Sequence, residues 1–166
     1  MSLPQNHPDF QIRPAVPADV PVILEFIKKL AAYEKLSNEV VATEELLRET
    51  LFGARRTAEA AIGYLEEKPV GFVLFFYNYS TFLGRPGIYI EDLFVEENFR
   101  GRGCGRGLFL YVARLAKERH CGRLEWSVLD WNEPAIGFYK KLGAVPMSDW
   151  TVFRVTGDSL DKLAEG

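Results

Sequence analysis

A glycine-rich loop between two hydrophobic segments constrains this 166-residue chain more than any other feature. Residues 99–107 hold four glycines and three arginines, after a strand-like run over residues 88–95. Apolar residues then recur at helical spacing, at Leu108, Tyr111, Val112 and Leu115. The loop therefore precedes a helix, whose first N–H groups lack intrahelical partners and favour an anion such as phosphate. Arginines beside it add charge-assisted hydrogen bonds.

The spacing of the glycines excludes two common phosphate-binding motifs. A P-loop requires Gly-x-x-x-x-Gly-Lys-Ser/Thr, and no lysine follows these glycines before Lys117. A dinucleotide fingerprint, Gly-x-Gly-x-x-Gly, fails because Arg106 or Leu108 stands where the third glycine is needed. The spacing is instead Arg-x-x-Gly-x-Gly, from Arg100 to Gly105.

Composition predicts a single domain over residues 1–166, because this is about one domain's length and 48% of the residues are hydrophobic. A net charge of −3, without a helix-turn-helix or an aromatic and basic array, disfavours a nucleic acid partner. Two cysteines are too few for a disulfide scaffold, and no signal peptide or long apolar segment is evident. We therefore expect a cytoplasmic protein without a membrane partner. No cluster of Cys, His, Asp and Glu has ligand spacing, so we expect no metal.

Hydrophobic periodicity predicts a mixed α/β sheet. The predicted strands cover residues 10–15, 59–65, 70–77, 87–95, 123–129 and 151–155, the last of which closes the sheet. The predicted helices cover residues 17–35, 43–51 and 133–142, with a long helix from the glycine loop to residue 120. Asp19 is the expected cap of the first helix and Asn132 that of the last.

Two adjacent carboxylates, Glu91 and Asp92, interrupt the apolar run before the loop. Adjacent strand residues point to opposite faces, and burying a charge is costly. Two such residues are tolerated if a bulge re-aims one of them or if a cleft admits water. The alternative is an edge strand with solvated acids, which the flanking apolar residues disfavour.

The Arg100 to Gly105 spacing resembles the coenzyme A pyrophosphate loop of the GCN5-related N-acetyltransferase (GNAT) superfamily. Residues 89–95 resemble its central strand, and residues 131–144 resemble its Asn-x-x-Ala-x-x-Phe-Tyr-x-x-x-Gly segment. The likeness covers a core of about residues 10–156. It is closest to the spermidine/spermine N-acetyltransferase group, whose characteristic segments match residues 30–34 and 130–134. The resemblance implies a mixed, mostly antiparallel sheet with a splayed parallel strand pair, flanked by helices.

The resemblance also implies acetyl-CoA as cosubstrate. Carried over position by position, the expected cofactor-binding residues are Leu93, Phe94, Val95, Arg100, Gly101, Arg102, Gly103, Cys104, Gly105, Arg106, Asn132 and Tyr139. Read from the residues alone, Cys104 is a small loop residue and Asn132 is a helix cap. Backbone groups in the splayed gap are expected to hold the pantetheine arm, and those of residues 93–95 to donate to the oxygen that gains charge.

The implied reaction is acetyl transfer to an amine by direct attack. A lysine-like ammonium has a pKa of about 10.4, so a base is useful at neutral pH. Glu91 resembles the residue that takes this proton through water, and Asp92 is expected to help hold the ammonium. Tyr139 resembles the acid that protonates the coenzyme A thiolate; its helical spacing alone favours a packing role. Glu34 matches a family carboxylate that binds the cationic substrate, and is otherwise an exposed glutamate.

The acceptor is expected to be a small cationic amine. Residues 80–82, Ser-Thr-Phe, resemble the branch that acetylates thialysine, whereas the polyamine enzymes carry an acidic residue and a tryptophan there. Spermidine and spermine are therefore the second choice of acceptor. Phe82 is expected to line the amine channel, and the alternative is that it has only a packing role. The alternatives are a noncatalytic acyl-CoA sensor and a protein or peptide acetyltransferase. A homodimer is also expected, with the apolar residues 150–155 pairing across an interface or finishing the sheet.

Overall fold

The computed structural model describes residues 9–166, and contacts divide the chain into a unit that ends at Ser127 and a unit over Val128–Gly166. The first unit contains β1 (Phe10–Pro14), α1 (Val20–Tyr33), α2 (Glu44–Phe52), β2 (Glu59–Leu65), β3 (Lys68–Ser80), β4 (Arg85–Val95), α3 (Cys104–Glu118) and β5 (Leu124–Trp126). The second contains α4 (Glu133–Lys141) and α5 (Asp158–Ala164). The prediction of one domain over residues 1–166 stays a prediction.

The strands form one sheet in the order β1-β2-β3-β4-β5. The first four pair antiparallel through successive hairpins, whereas β4 and β5 are parallel and are connected through α3. Parallel neighbours need such a crossover connection, and the glycine loop lies at its start. The predicted mixed, mostly antiparallel sheet with one parallel pair is confirmed.

One face of the sheet is covered by α1 and α2. Phe26 of α1 lies 5.7 Å, between ring centroids, from both Phe72 of β3 and Phe94 of β4. The buried cluster on this face consists of Ile23, Phe26, Leu51, Ile62, Phe72 and Phe94. Burying one such side chain contributes about 1.5–3 kcal/mol, so this cluster fixes α1 against the middle of β4.

The opposite face is covered by α3. Gly63, one residue after the buried Ile62, lies against Leu108 of α3. Gly105 in the first turn of α3 lies against the side chains of Leu93 and Val95. Because alternate strand residues share a face, α1 and α3 contact opposite sides of β4 just before the glycine loop.

Side chains interact with the backbone differently at the starts of α1 and α2. Thr43 accepts a hydrogen bond from the Leu46 N–H at 3.2 Å, which caps α2. Asp19 occupies the N-cap position of α1, as expected, but its side chain makes no capping bond to α1. Its carboxylate accepts the N–H of Val16 at 2.8 Å, because residues 17–19 form a 3-10 turn that precedes α1 and needs its own closure.

The C-terminal expectations differ most from the structure. Within residues 9–166, the predicted strand at 151–155 is absent from the sheet, and those residues are exposed. Apolar composition alone cannot form a strand, which needs a neighbour to pair its backbone groups. The predicted strand over residues 123–129 is shortened to β5, and α5 was not predicted. Within the described residues, no helix is both long and apolar enough to cross a membrane.

Candidate active site

A β-bulge in β4 places the paired carboxylates. Leu74 of β3 pairs with Asp92 and the next residue, Phe75, pairs with Ile90, so Glu91 is an extra residue without a partner on β3. A bulge of this kind interrupts the alternation of side chains along a strand. The predicted bulge at the two carboxylates is therefore confirmed.

The two carboxylates have different surroundings as a result. Glu91 is exposed, whereas Asp92 is half-buried. Asp92 lies two residues before Phe94, which packs on α1, and therefore faces the α1 side of the sheet. Glu34, the residue that ends α1, is also half-buried.

The charges of Glu91 and Glu34 act on Asp92. Burial raises the pKa of Asp92 to about 6, and the negative charges of Glu91 and Glu34 contribute to this rise. Burial also raises the pKa of Glu34. A perturbed carboxylate with two acidic neighbours is typical of functional sites, because the cluster gains stability when a cation joins it. The structure thus brings together three predicted acceptor-binding residues.

The edge of β4 that faces β5 is open beside this cluster. The parallel pairing covers three residue pairs and ends at Ile90 with Trp126. Past the bulge, the Glu96 N–H bonds the Val70 carbonyl of the β3 segment. Because backbone groups alternate, Leu93 and Val95 direct their N–H groups toward the open edge. This is the splayed parallel pair that the resemblance implied, and the predicted role of these N–H groups stays a prediction.

The glycine loop adopts a conformation that requires glycine. Gly101 has a φ of 74° and Gly103, which begins α3, has a φ of 83°. Both values are in the left-handed region, where a side chain is strained. The first intrahelical bond joins the Gly107 N–H to the Gly103 carbonyl at 2.8 Å, which leaves the preceding N–H groups of α3 directed out of the helix end.

Arg100 links the loop to α1. Its Nε donates to the Val95 carbonyl at 3.0 Å, and its guanidinium carbon lies 4.7 Å from the ring centroid of Tyr33 and 5.8 Å from that of Phe94. Arg100 as a whole is exposed. Its predicted cofactor role stays a prediction.

The other two arginines lie on the loop and the first turn of α3. The guanidinium carbon of Arg102 lies 5.4 Å from the ring centroid of Phe99, and the side chain is exposed. Arg106 is half-buried, and its Nε is a buried donor for which the described residues supply no acceptor. Such a donor beside free helix N–H groups fits an anionic ligand, because buried donors are otherwise almost always paired.

Cys104 and Gly105 form the tightly packed start of α3, and their predicted cofactor roles stay predictions. Cys104 is 1% exposed, and burial raises the pKa of its thiol, which opposes thiolate reactivity. A Cβ added at Gly105 would meet the side chains of Val95 and Leu93 at 3.7 and 3.9 Å, so α3 begins close to the end of β4. The helix terminus is thereby held beside the open edge of the strand.

The second unit holds Asn132 and Tyr139. The Asn132 side chain accepts the Ala135 N–H at 3.3 Å, which confirms the predicted cap of α4. Tyr139 lies on α4 with its ring centroid 5.2 Å from that of Phe138. Burial raises its pKa, so the phenol keeps its proton at neutral pH. Its role as the acid stays a prediction.

Phe82 is distant from the carboxylates. It is fully exposed in the turn between β3 and β4, whereas Asp92 pairs with Leu74. Six residues separate Leu74 from the end of β3, which is about 20 Å along a strand. Ser80 is 5% exposed, and its hydroxyl accepts the Leu83 N–H at 3.3 Å, which closes this turn. The substrate-binding role of Phe82 stays a prediction.

Sequence reasoning missed Tyr33 and the Val95 carbonyl as the contacts of Arg100. Tyr33 directly precedes Glu34 within a segment already matched to the family, but its pairing with the loop depends on how α1 crosses β4. Lys29 supports the same crossing through ion pairs of 2.6 Å with Glu25 and with Glu96, just after β4.

Comparison with known proteins decides the family. The acetyltransferase (GNAT) family model matches residues 27–144, which is more than half of the chain. The chain belongs to the GNAT acetyltransferase family. The predicted family and acyltransferase class are confirmed.

Relatives cover nearly the whole of this GNAT chain. An L-ornithine N5-acetyltransferase of Arabidopsis thaliana is 34% identical, over 96% of this chain and 90% of its own. A thialysine N-epsilon-acetyltransferase of Bos taurus is 37% identical, over 92% of this chain and 96% of its own. An integron cassette protein from the mobile metagenome of V. cholerae has a TM-score of 0.80 at 24% identity, covering 95% of this chain and 99% of that chain, which shows the fold.

Proposed function

We propose that this GNAT enzyme transfers acetyl from acetyl-CoA to the primary amine of a small cationic acceptor. The observation that carries the proposal is the carboxylate cluster at the β4 bulge, on the same strand that leads into the glycine loop. The cluster attracts a cation, and the loop attracts an anion. A reaction between an ammonium substrate and a phosphate-bearing cosubstrate needs both in one place.

The cofactor half of the site is formed by the loop and the start of α3. The N–H groups of the first α3 turn, with Arg102 and Arg106, would hold the pyrophosphate, because Gly103 lets the backbone approach it closely. When bound, acetyl-CoA supplies the thioester that the amine attacks. The N–H groups of Leu93 and Val95 would donate to the oxygen on which charge develops.

The acceptor half is formed by Glu34, Glu91 and Asp92. These carboxylates hold the ammonium and take the proton that blocks its lone pair, directly or through water. Tyr139 is the proposed acid for the thiolate, since its phenol is protonated at neutral pH. No covalent enzyme intermediate is needed.

The acceptor class we propose is a lysine-like or ornithine-like amino acid, with polyamines second. The relatives named above are an ornithine and a thialysine acetyltransferase, and they align over nearly all of this chain. The Ser-Thr-Phe segment at residues 80–82 supports the same ranking, since it lacks the acidic residue of the polyamine enzymes.

The test is thiol release from acetyl-CoA with a panel of amines. Thialysine, lysine, ornithine, spermidine, spermine and a short peptide are each compared with a reaction that lacks amine. We expect the amino acids to be fastest. A lead by spermidine favours the polyamine class, a lead by the peptide favours the protein acetyltransferase alternative, and acetyl-CoA binding without any amine-dependent release favours the sensor.

Tyr139→Phe tests the acid with the same assay. Removing the hydroxyl is expected to lower kcat about 100-fold, within the usual range for a general acid, with acetyl-CoA affinity within about twofold of wild type. Tyr111→Phe is the control, because Tyr111 is also half-buried and its pKa is also raised by burial. It lies on α3 and has no proposed role in the reaction. Equal kcat values for Tyr139→Phe and wild type would remove Tyr139 as the acid.

We also propose a homodimer. It is supported by the exposed apolar residues near the C terminus, with Trp150 76%, Val152 81% and Phe153 92% exposed, which is costly in water. Light scattering after size-exclusion chromatography measures the mass directly. A mass near twice 18.9 kDa supports the dimer, and a mass near 18.9 kDa contradicts it.

A further inference from the structure

The opening between β4 and β5 is closed at one end by a tryptophan. The last pair of the parallel strands joins Ile90 to Trp126, where β5 ends. Ile90 is buried, and Trp126 is half-buried. The indole packs edge-on against Phe109 of α3, with ring centroids 4.8 Å apart and an interplanar angle of 82°. Trp126 therefore lies on the α3 face of the sheet, at the closed end of the opening.

The closed end is held on the α1 face as well. Tyr89 pairs with Glu125, one position before the pair that contains Trp126, so the Tyr89 side chain lies on the opposite face from the indole. The hydroxyl of Tyr89 lies 2.5 Å from that of Ser127, the residue that follows β5. This hydrogen bond joins the two strands where their backbone pairing stops. Side chains on both faces thus fix the position of the closed end.

We infer that Trp126 limits the length of the acyl group that the enzyme transfers, so that acetyl is accepted and butyryl is excluded. The inference rests on the proposed function and deepens it, because it concerns the acyl donor of the same site. It follows from where the two reactants leave room for the acyl chain.

The anion site determines which end of the opening receives the acyl group. The glycine loop after Val95 is at one end of the opening, and Trp126 is at the other. The acyl group is at the opposite end of the cosubstrate from its phosphates, and it is therefore directed toward Trp126. Leu93, whose N–H we propose for the thioester oxygen, is three residues past Ile90, about 10 Å along a strand. The acyl chain thus begins close to the indole.

The acceptor site determines which face of the sheet receives the chain. Asp92 faces the α1 side, and Glu34 lies at the end of α1. An ammonium held by these carboxylates reaches the thioester carbon from the α1 side, which must stay free for its approach. The acyl chain is therefore left with the α3 side, where Trp126 is the residue at the end of the opening.

The size of the indole sets the limit. Tryptophan is one of the largest side chains, and Phe109 packs against it from α3. A packed region accommodates extra methylenes poorly, because neighbouring side chains are forced out of their preferred rotamers. An apolar pocket distinguishes groups that differ by one methylene by about 10-fold to 200-fold. Two additional methylenes should therefore separate butyryl from acetyl clearly.

The test is thiol release with acetyl-CoA, propionyl-CoA and butyryl-CoA, using the fastest amine of the panel. Each donor gives the N-acyl amine, the free thiol and one proton, so the ratio of kcat/KM values reports how well the acyl group fits. In wild type we expect butyryl to be at least about 100-fold slower than acetyl. Trp126→Leu should raise the butyryl-to-acetyl ratio at least about tenfold, and Trp126→Phe should raise it less.

A second readout does not depend on turnover. Calorimetric titration without amine should show weaker binding of butyryl-CoA than of acetyl-CoA to wild type, and similar affinities of the two for Trp126→Leu. Free coenzyme A, which has no acyl group, should bind wild type and both variants equally. Trp150→Leu is the matched control, because Trp150 is exposed and lies outside the sheet, and its ratios should equal those of wild type.

Several results would overturn the inference. Butyryl turnover equal to acetyl turnover in wild type does so without any variant. An unchanged ratio in Trp126→Phe, with coenzyme A affinity and melting temperature near wild type, does so even where Trp126→Leu fails to fold. A wild-type enzyme that binds acetyl-CoA but releases no thiol with any amine contradicts the proposed function instead, while the preference for short acyl groups can still be measured by titration.

Discussion

The second half of β4 carries a different charged region at each of its two ends. At the bulge, the charge comes from side chains, because Glu91, Asp92 and Glu34 form a negative cluster. At the loop after Val95, the partial positive charge comes from the main chain, because left-handed glycines expose the N–H groups of α3. About 10 Å of strand connects the two regions, so one element carries the residues proposed for both reactants.

The comparison teaches which changes each end tolerates. A site made of backbone groups tolerates most side-chain substitutions. A single Cβ at a left-handed glycine position, however, disrupts it. A site made of clustered carboxylates stores unfavourable energy, since like charges repel and burial costs free energy. Substitutions at the two ends should therefore have opposite effects on stability.

The largest expected effect is that of Gly103→Val on cofactor affinity. Valine is strained at a φ of 83° and would displace the N–H groups that we propose for the phosphate; losing two such bonds costs about 3 kcal/mol, or about 100-fold in Kd. Gly84→Val is the matched control, because Gly84 has a φ of 62° in the β3–β4 turn. Calorimetric titration with acetyl-CoA checks this. Equal losses of affinity in both variants would show that only folding is affected.

Asp92→Asn should stabilise the protein while it impairs turnover. The pKa of Asp92 is raised from 3.8 to about 6 on folding, so the ionised carboxylate destabilises the fold above pH 6 and the penalty fades between pH 6 and pH 4. We expect Asn to add about 2 kcal/mol to the free energy of unfolding at pH 8 and little at pH 4. Urea unfolding at both pH values measures this. A variant that is less stable at pH 8 would disprove the stored repulsion.

Arg106→Ala should weaken acetyl-CoA binding by about tenfold. Its unpaired Nε is expected to donate to the anion, and one charge-assisted bond is worth about 1.5 kcal/mol. The dependence of Kd on salt should also become shallower. Arg114→Ala, an exposed arginine later in α3, should leave both quantities unchanged. An affinity of Arg106→Ala within twofold of wild type would show that Nε has another role.

Tyr33→Leu is expected to have the smallest effect. It removes the ring under the Arg100 guanidinium, a contact worth about 0.5–1 kcal/mol at an exposed site. Because Arg100 joins the loop to the end of α1, kcat/KM for the amine and acetyl-CoA affinity should both fall by about twofold to fivefold. Tyr77→Leu removes a similar ring from beneath Arg119 and should alter neither. A fall in only one of the two quantities would show that Arg100 serves one end alone.

The loop was predictable from sequence because its requirements are local. Left-handed φ values at Gly101 and Gly103 need glycine, and a helix start needs partners for its N–H groups whatever the rest of the fold is. The bulge was predictable for a related reason, since two consecutive carboxylates within an apolar strand cannot both be accommodated by regular alternation.

The raised pKa of Asp92 was not predictable. It arises from burial, with contributions from Glu91 and from Glu34, which is far away in sequence and reaches Asp92 because α1 packs across β4. The strand expected at residues 151–155 fails for a comparable reason, because pairing depends on a neighbour rather than on composition. The loop and the bulge are set within one segment, whereas the pKa of Asp92 and the pairing of residues 151–155 depend on distant segments.

The central claim is that β4 carries two charge sites that act separately. Its most direct test is calorimetric titration of Asp92→Asn with acetyl-CoA, alongside kcat/KM for the amine. The account predicts an acetyl-CoA affinity within about twofold of wild type, together with a loss of about 100-fold in kcat/KM. A parallel loss of both quantities would contradict it, because the carboxylate would then be part of the cofactor site or of the fold that supports it.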